Sequence, residues 1–427
     1  MLLIRNARVL DPASGRDERA DILLEGGLVR AIGRDLPVPA GARVIDAAGL
    51  IAAPGLIDVH SHFRDPGQTY KEDIFSGARA GARGGYTAVI CMANTVPPVD
   101  SPEVLAYVRG RAEKACIRVL QAATLTCGMA GKELVDMEGL LAAGAAGFTD
   151  DGRPVMDETL LRTAFERAAK LGAVISLHEE DPAFVARAGV NRGAVSAALG
   201  FPGADRAAED TMVARDARLA LQTGARVDFQ HISSAGAVEA IRRARALGAD
   251  VWGEATPHHF SLTEEAVLTH GAYAKMNPPL RTEADRQAII EGLRDGTLRL
   301  IATDHAPHSK EEKDRGLFEA PSGIVGLETA LALAITNLVK PGHLTMSEML
   351  DKLTAQPAEL YGLPGGRLQE GGPADLVLFD PEEEWAVTEE SFASRSKNSP
   401  FIGTKLTGRV RYTVCGGEVV FEEERHL

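Results

Sequence analysis

The sequence predicts an α/β fold, in which a (β/α)8 barrel carries a small β-sandwich built from both termini. Eight short apolar or β-branched runs lie between residues 53 and 365, helix-like segments separate them, and both ends of the chain are β-rich. Strands that alternate with helices favour a parallel sheet, and eight such units in roughly 300 residues fit a barrel. A doubly wound open sheet is the alternative. No G-x-G-x-x-G motif follows the first run, so a dinucleotide fold has no support.

The terminal segments have turn chemistry between alternating apolar runs. In residues 1–52, Gly26-Gly27 separates two apolar segments, as a two-residue hairpin requires. Residues 366–427 repeat this pattern, with "ADLVLFD" followed by "RVRYTVCGGEVVFEE" around Gly416-Gly417. Because chain termini often lie close together, we expect residues 1–52 and 366–427 to form one composite β-sandwich domain. Residues 53–365 then form the barrel.

The eight runs can be read in order along the barrel segment. Helical segments such as "DETLLRTAFERAAKLG" have apolar residues at helical spacing and end at glycine. The runs are "GLIDVHSH", "YTAVICMAN", "CIRVLQAATL", "AAGFTDD", "AVISLHE", "RVDFQHIS", "DVWGEATP" and "LRLIATDH".

Polar residues mark the ends of these runs, where barrels carry their chemistry. His60 and His62 end the first run; as residues i and i+2 of a strand they share a face, about 6.6 Å apart. The other ends carry Asn94, Asp150-Asp151, His178, His231 and Asp304. A lone strand-end histidine is more often just a hydrogen-bonded polar residue. Four histidines with carboxylates on one rim predict a metal site.

The types of ligand indicate which metal the site binds, and their number indicates which reaction it supports. Imidazole with carboxylate suits Zn²⁺ and similar ions better than Mg²⁺ or Ca²⁺. Six protein ligands exceed what one tetrahedral ion with an open position needs, and they fit two ions that share a carboxylate. A two-metal site of this kind holds a shared hydroxide and polarises a carbonyl, which is the chemistry of hydrolysis or its reverse.

Composition excludes several other classes of protein. The 427 residues have a net charge of −14, which disfavours sequence-independent nucleic-acid binding. The N-terminus lacks the pattern of a signal peptide, and no apolar run approaches 18 residues, so we expect no membrane span. The four cysteines form no C-x-x-C pair and favour a reducing cytoplasm.

Several motifs together resemble the dihydroorotases of the amidohydrolase superfamily, specifically the type I bacterial class, over almost the whole chain. They are "DVHSHFRDPG", "MANTVPPVD", "GFTDDG", "ISLHEE", "FQHIS", "TPHHFSLTEEAV", "KMNPPLR", "TDHAPHS", "PADLVLFD" and "FIGTKLTGRV". The resemblance implies two zinc ions per chain, bridged by Asp151 and a hydroxide. His60 and His62 match ligands of the first ion, and His178 and His231 match those of the second. Asp304 matches a ligand of the first ion that is also the catalytic general acid/base.

The resemblance also implies a reaction, and it leaves two alternative functions to consider. The reaction is the reversible cyclisation of N-carbamoyl-L-aspartate to (S)-dihydroorotate in de novo pyrimidine (UMP) biosynthesis. Hydantoinases and allantoinases, the main alternative enzymes, typically bridge their metals with a carboxylated lysine, and "GFTDDG" offers none. A non-catalytic partner of aspartate transcarbamoylase is the alternative of another class, since some members of the family form complexes with that enzyme. A homodimer is expected from the habit of the family.

Substrate contacts are expected beside the metals. If the strand stays extended, Arg64 shares the face of His60 and His62, and its guanidinium can hold the substrate carboxylate; a solvated loop residue is the alternative. The resemblance adds these substrate-binding residues: His62, Asn94, Asn277, His308, Ser322 and Gly323.

Neighbouring polar residues have plainer interpretations. Adjacent strand residues face opposite ways, and the spacing to His178 favours Asp151 over Asp150 as the ligand. His258 and His259 are expected to be structural or to support ligands, and His305 to face away from the metals. The segment 308–323 is either a loop that closes over substrate or a fixed surface loop. Ordinary surface or packing roles are expected for His270, His343 and His426.

Overall fold

A computed structural model describes residues 1–423 of the chain. Fifteen β-strands lie in this part of the chain: seven belong to the barrel and eight form one separate sheet. The strands are β1 Leu2–Asp11, β2 Arg16–Glu25, β3 Leu28–Gly33, β4 Arg43–Asp46, β5 Ile51–Pro54, β6 Leu56–Ser61, β7 Tyr86–Cys91, β8 Arg118–Gln121, β9 Val174–Leu177, β10 Arg226–Phe229, β11 Val251–Ala255, β12 Leu300–Ile301, β13 Leu376–Ala386, β14 Lys405–Cys415 and β15 Glu418–Glu422.

Helices follow the barrel strands along the chain. The α-helices are α1 Ile74–Arg83, α2 Pro102–Ala112, α3 Met137–Ala142, α4 Glu158–Leu171, α5 Ala194–Ala198, α6 Ala207–Thr223, α7 Ala235–Ala246, α8 Pro257–Ser261, α9 Ala266–His270, α10 Glu283–Arg294, α11 Lys310–Lys313, α12 Gly316–Glu319, α13 Ala330–Ala334, α14 Met346–Leu353 and α15 Ala355–Tyr361. Short 3₁₀ turns occur at Cys127–Met129, Pro182–Phe184, Gly271–Ala274 and Glu389–Ser391, and a π-helical turn spans Ile335–Val339.

Seven parallel strands and the bridged residue Phe148 form the barrel. Strands β6, β7 and β8 pair in parallel, and so do β9, β10, β11 and β12. Isolated parallel bridges join the two sheets: Phe148 pairs with Ala123 and with Ile175, and Ser61 pairs with His305. Phe148 therefore occupies the position of the fourth barrel strand, and the bridge between Ser61 and His305 closes the ring. All eight runs of the sequence lie in this ring, so the barrel prediction is confirmed.

The composite sheet joins both ends of the chain. Its order is β15-β14-β13-β5-β1-β2-β3, and β4 also pairs with β1. The expected hairpins are present, with Glu25 opposite Leu28 and Cys415 opposite Glu418. The sheet has an apolar core of its own, separate from that of the barrel. The domain boundary at residue 52 stays a prediction, and β5 crosses it.

Local sequence explains the helix ends. Asp157 caps α4 by accepting hydrogen bonds from the backbone N–H groups of Thr159 and Leu160. The helix ends at Gly172, whose φ of 65° is left-handed and needs a residue without Cβ. The glycine in "DETLLRTAFERAAKLG" is thus the stop that the sequence predicts.

None of the helices in residues 1–423 is long and apolar enough to cross a membrane.

Candidate metal centre

The predicted metal ligands lie together at the C-terminal ends of the barrel strands. His60 belongs to β6, and His62 follows it; their ring centroids are 5.3 Å apart. The other ligands follow Phe148, β9, β10 and β12. All six predicted ligands are buried; they are His60, His62, Asp151, His178, His231 and Asp304.

Two groups of three ligands share one carboxylate. The first triad is His60, His62 and Asp151, and the second is Asp151, His178 and His231. Within each triad, one ligand atom of each residue lies within 4.8 Å of the others. Oδ1 of Asp151 is 3.8 Å from Nε2 of His60 and 3.7 Å from Nδ1 of His178. A carboxylate placed between two histidine pairs has the geometry of a bridge between two cations.

Asp304 lies against the first triad without belonging to either group. Its Oδ1 is 3.1 Å from Nε2 of His62 and 3.6 Å from Nε2 of His60. This carboxylate can reach a cation held by those histidines and a reacting group beside it.

The spacing and hydrogen bonding of these residues fit a metal. Two ligands about 2.1 Å from one tetrahedral ion lie about 3.4 Å from each other. The corresponding separations here run from 2.9 Å, between Nδ1 of His178 and Nε2 of His231, to 4.0 Å, between the latter atom and Asp151. Nε2 of His60 is buried and has no hydrogen-bond partner among the described residues. This nitrogen faces the carboxylates of Asp151 and Asp304 at 3.8 and 3.6 Å, beyond hydrogen-bonding distance, and a cation between them would satisfy all three groups.

The electrostatic field of the site favours a cation. Burial alone lowers the pKa of His60, but the carboxylates of Glu254, Asp304 and Asp151 raise it to about 10. Burial raises the pKa of Asp151, and the neighbouring histidines His62, His60 and His178 bring it below its usual value. Negative charge therefore accumulates between the imidazoles, where a metal would sit.

The distal nitrogens of three ligands lie beside polar side chains, and two of them are hydrogen-bonded. Nδ1 of His60 is 3.0 Å from Oε2 of Glu254, and Nδ1 of His62 is 3.0 Å from Oδ1 of Asn94. Nε2 of His178 is 3.6 Å from Oε2 of Glu180. The two hydrogen bonds to Nδ1 leave Nε2 of His60 and Nε2 of His62 free to bind a metal.

Sequence reasoning missed both glutamates. Glu180 stands two residues after His178, so the i, i+2 rule that paired His60 with His62 could have found it. Glu254 is a charge inside the buried strand β11, which is itself an unusual pattern.

As expected from the sequence, Asp150 does not point at the candidate metal site. Its Oδ1 accepts hydrogen bonds from the backbone N–H groups of Leu125 (2.8 Å) and Thr126 (3.1 Å), so it faces away from both triads.

The expectation that an extended strand places Arg64 on the same face as His60 and His62 is wrong. Strand β6 ends at Ser61, and Arg64 has a left-handed φ of 56°, so the extended backbone does not persist. The side chain nevertheless stays near the site, where its Nε donates to the carbonyl of Pro307 at 3.4 Å. Burial lowers the pKa of Arg64, and the nearby carboxylates of Asp304 and Asp151 act in the opposite direction.

The other predicted substrate residues form two groups. His308 Nε2 is 2.8 Å from the carbonyl of Ser322, and Gly323 follows with a φ of 121°. On the other side, Asn277 donates from Nδ2 to Glu180 at 2.9 Å and lies 3.4 Å from Nε2 of His178.

Asn94 lies between His62 and Asp151, the carboxylate that both triads share. Its Nδ2 donates to Oδ2 of Asp151 at 2.8 Å, while its Oδ1 faces Nδ1 of His62. Both ends of this amide are therefore engaged by predicted metal ligands.

The remaining histidines have structural surroundings. His259 contacts the hydroxyl of Thr256 and the carbonyl of Pro278 at 2.7 and 3.1 Å. His258 is buried beside it, at 4.5 Å between ring centroids. His305 accepts a hydrogen bond from the N–H of Gly326, away from the triads. His270 is exposed and His343 is partly buried, whereas His426 lies outside the described residues.

The segment 308–323 contains two helical turns, α11 and α12. Lys313 anchors it internally by donating to the carbonyls of Pro321 and Gly323 at 3.0 and 3.1 Å. Tyr70 and Tyr273 hold it from outside through Glu312 and Asp314, each at 3.0 Å. Closure over substrate stays a prediction.

Comparison with known proteins places this geometry among hydrolases. A model of the amidohydrolase family matches residues 51–420. The chain is 57% identical to the dihydroorotase of Clostridioides difficile (strain 630) over 421 residues, which are 99% of this chain and 100% of that protein. It is 52% identical to the dihydroorotase of Clostridium acetobutylicum over 424 residues, with coverages of 99% and 100%.

Solved structures of related enzymes share the fold. The L-hydantoinase (dihydropyrimidinase) from Arthrobacter aurescens superimposes with a TM-score of 0.89 at 26% identity, covering 100% of this chain and 97% of that one. The D-hydantoinase (dihydropyrimidinase) from Thermus sp. gives a TM-score of 0.86 at 25% identity, with coverages of 99% and 95%.

Proposed function

This chain belongs to the amidohydrolase family, and we propose that it is a dihydroorotase. The reaction is the reversible cyclisation of N-carbamoyl-L-aspartate to (S)-dihydroorotate in pyrimidine biosynthesis. The observation that carries the proposal is the pair of ligand triads that share Asp151, in a chain whose dihydroorotase relatives match it from end to end.

Zinc is the proposed metal, with two ions per chain. The first would be held by His60, His62 and Asp304, the second by His178 and His231, and Asp151 would bridge them. When bound, such ions make hydroxide available near neutral pH and polarise the amide carbonyl. The mixed imidazole and carboxylate donors support zinc over the oxygen-loving cations.

Asp304 is the proposed general acid/base. In hydrolysis its carboxylate takes the proton of the attacking water and delivers it to the ring nitrogen that leaves. In cyclisation the same carboxyl starts protonated. Cyclisation is therefore favoured at lower pH and hydrolysis at higher pH, and a pH–rate series in which both directions rise together would contradict this assignment.

Arg64 is the proposed partner of the substrate carboxylate. Its guanidinium can donate two parallel hydrogen bonds to that group. His308, Ser322 and Gly323 are proposed to contact the substrate on this side, and Asn94 and Asn277 on the side of the triads; His62 is proposed to serve both metal and substrate.

The alternative functions are not favoured. The two hydantoinase structures described above share 26% and 25% identity with this chain, whereas the two dihydroorotases described above share 57% and 52%. A non-catalytic role has no support from the ligands, because every predicted metal ligand is present and buried.

Assembly and location are further proposals. A homodimer is proposed, with a complex with aspartate transcarbamoylase as a second form of assembly. The cytoplasm is the proposed compartment, supported by cysteines that do not form a disulfide framework. Light scattering of the chain alone and after mixing with the transcarbamoylase tests both forms of assembly.

The deciding experiment combines metal analysis with a two-way assay. The purified chain is expected to contain two zinc ions and to interconvert dihydroorotate and N-carbamoyl-L-aspartate without a partner. Hydantoin and allantoin serve as competing substrates. Faster turnover of either competitor would overturn the proposal, and so would a metal-free chain that turns over neither dihydroorotate nor carbamoyl aspartate.

A further inference from the structure

Glu254 touches both ligand triads from beneath the site. It lies in β11 and is fully buried. A single oxygen, Oε2, is 3.0 Å from Nδ1 of His60 and 3.0 Å from the backbone nitrogen of His231. One carboxylate oxygen therefore contacts a ligand of each triad.

The contact with His60 determines the position of its proton. A carboxylate oxygen accepts a hydrogen bond, so in the neutral ring, which is the form that binds a metal, the proton lies on Nδ1 and the lone pair on Nε2. Nε2 is the atom that faces Asp151 at 3.8 Å and Asp304 at 3.6 Å. Without the acceptor, the other tautomer would put a proton where a metal must bind.

The contact with His231 supports its backbone. His231 has a φ of 33°, in a region that residues with a side chain rarely adopt. Its N–H donates to the Glu254 carboxylate, and the next N–H, of Ile232, donates to the Glu254 backbone carbonyl at 2.9 Å. Glu254 thus binds two consecutive residues of this turn and fixes the direction in which the His231 ring leaves it.

We propose that Glu254 is a positioning residue that couples the two metal sites: its carboxylate sets the tautomer of His60 and the backbone of His231 together. It touches neither substrate nor reacting atoms. Partners that hold the distal nitrogen of a ligating histidine typically contribute 10- to 100-fold to metal affinity. Because Glu254 reaches both triads, its loss should weaken both sites.

The test measures metal binding by the metal-free protein. Glu254→Gln keeps the shape of the side chain and one accepting oxygen, but it removes the negative charge that strengthens the hydrogen bonds from His60 and His231. Titration with Zn²⁺ against a chromophoric chelator is expected to give both zinc equivalents an affinity about 10- to 100-fold weaker than in the parent chain. The absorption spectrum of Co²⁺ bound to the same protein is expected to change, because the ligand geometry changes.

A matched control separates this role from general stability. Glu328 is another buried glutamate, and its Oε1 accepts hydrogen bonds from the backbone N–H groups of Ala393 and Ser394, away from the triads. Glu328→Gln should leave both zinc affinities unchanged. Should Glu254→Gln fail to fold, Glu254→Asp, which keeps the acceptor but withdraws it by one methylene, is measured in its place.

Two results would overturn the proposal. Zinc affinities of Glu254→Gln within twofold of the parent would remove the positioning role, and weakening of only one equivalent would remove the coupling. The inference rests on the metal site of the proposed function, but it can fail separately: a chain without dihydroorotase activity whose two zinc sites still weaken together would overturn only the function.

Discussion

Asp304 lies where one carboxylate reaches two histidines of the same triad. Its backbone is left-handed, with a φ of 45°, and His231 and Arg64 share this property. Such conformations cost on the order of 1–3 kcal/mol each and persist where the surrounding structure imposes them. Three of the six non-glycine residues with positive φ in residues 1–423 thus belong to the candidate site.

Asp304→Asn tests the acid/base role. An amide cannot carry the proton, so kcat is expected to fall about 10²- to 10⁴-fold in both directions. The control is Asp285→Asn, at a buried aspartate in the capping box of α10, which should lower stability and leave kcat near that of the parent. Loss of only one direction of the reaction would contradict the assignment.

Arg64→Lys tests the carboxylate contact. An ammonium cannot reproduce the planar pair of donors, so the KM for dihydroorotate should rise about 10- to 100-fold while kcat changes less. Arg286→Lys, which alters a guanidinium bonded to Glu283 on α10, is the matched control. An unchanged KM in Arg64→Lys would count against the contact.

Helix α1 positions the stretch that carries His62 and Arg64. Phe63 lies between those two residues and packs into the space left by Gly77 of α1, where a Cβ would approach Phe63 Cδ1 to 2.4 Å. Glycine is therefore required here by a close approach of two elements, because the ring has no other place to go without moving its neighbours.

Gly77→Ala should consequently destabilise the protein and disturb the site. Overpacking of this kind costs about 1–3 kcal/mol, measured by urea unfolding, and we expect kcat to fall as well. Gly110→Ala in α2 is the control: a Cβ there meets nothing within 4 Å, so helix propensity should raise stability by about 0.5–1 kcal/mol. Equal effects of the two substitutions would disprove the packing argument.

At the scale of the whole molecule, local patterns predicted the barrel strands and the barrel, but not which residues meet between distant parts of the chain. The eight runs and both glycine hairpins could be read from the sequence because apolar periodicity and turn chemistry are local. The closure of the ring through Ser61 and His305, and the contact of Glu254 with His60, join residues about 200 or more positions apart. Arg64 shows the same limit, since its backbone turn follows from tertiary packing and not from strand geometry.

Glu328 links the barrel to the C-terminal segment and makes global stability depend on pH. Burial is the main cause that raises its pKa to about 7 from a usual value of 4.5. Between these values the folded chain keeps a proton that the unfolded chain releases. This stabilisation is therefore fully present below pH 4.5 and is lost as the pH rises to about 7, by on the order of 3 kcal/mol.

Glu328→Gln should remove that dependence, because an amide keeps the accepting oxygen and cannot ionise. The free energy of unfolding of the variant, relative to the parent, is expected to rise by about 2–3 kcal/mol between pH 4.5 and pH 8, measured by urea unfolding of both metal-free chains. Glu291→Gln, on a half-exposed part of α10, is the surface control for the substitution. Parallel curves for Glu328→Gln and the parent would mean that Glu328 ionises at the same pH in the folded and unfolded chains.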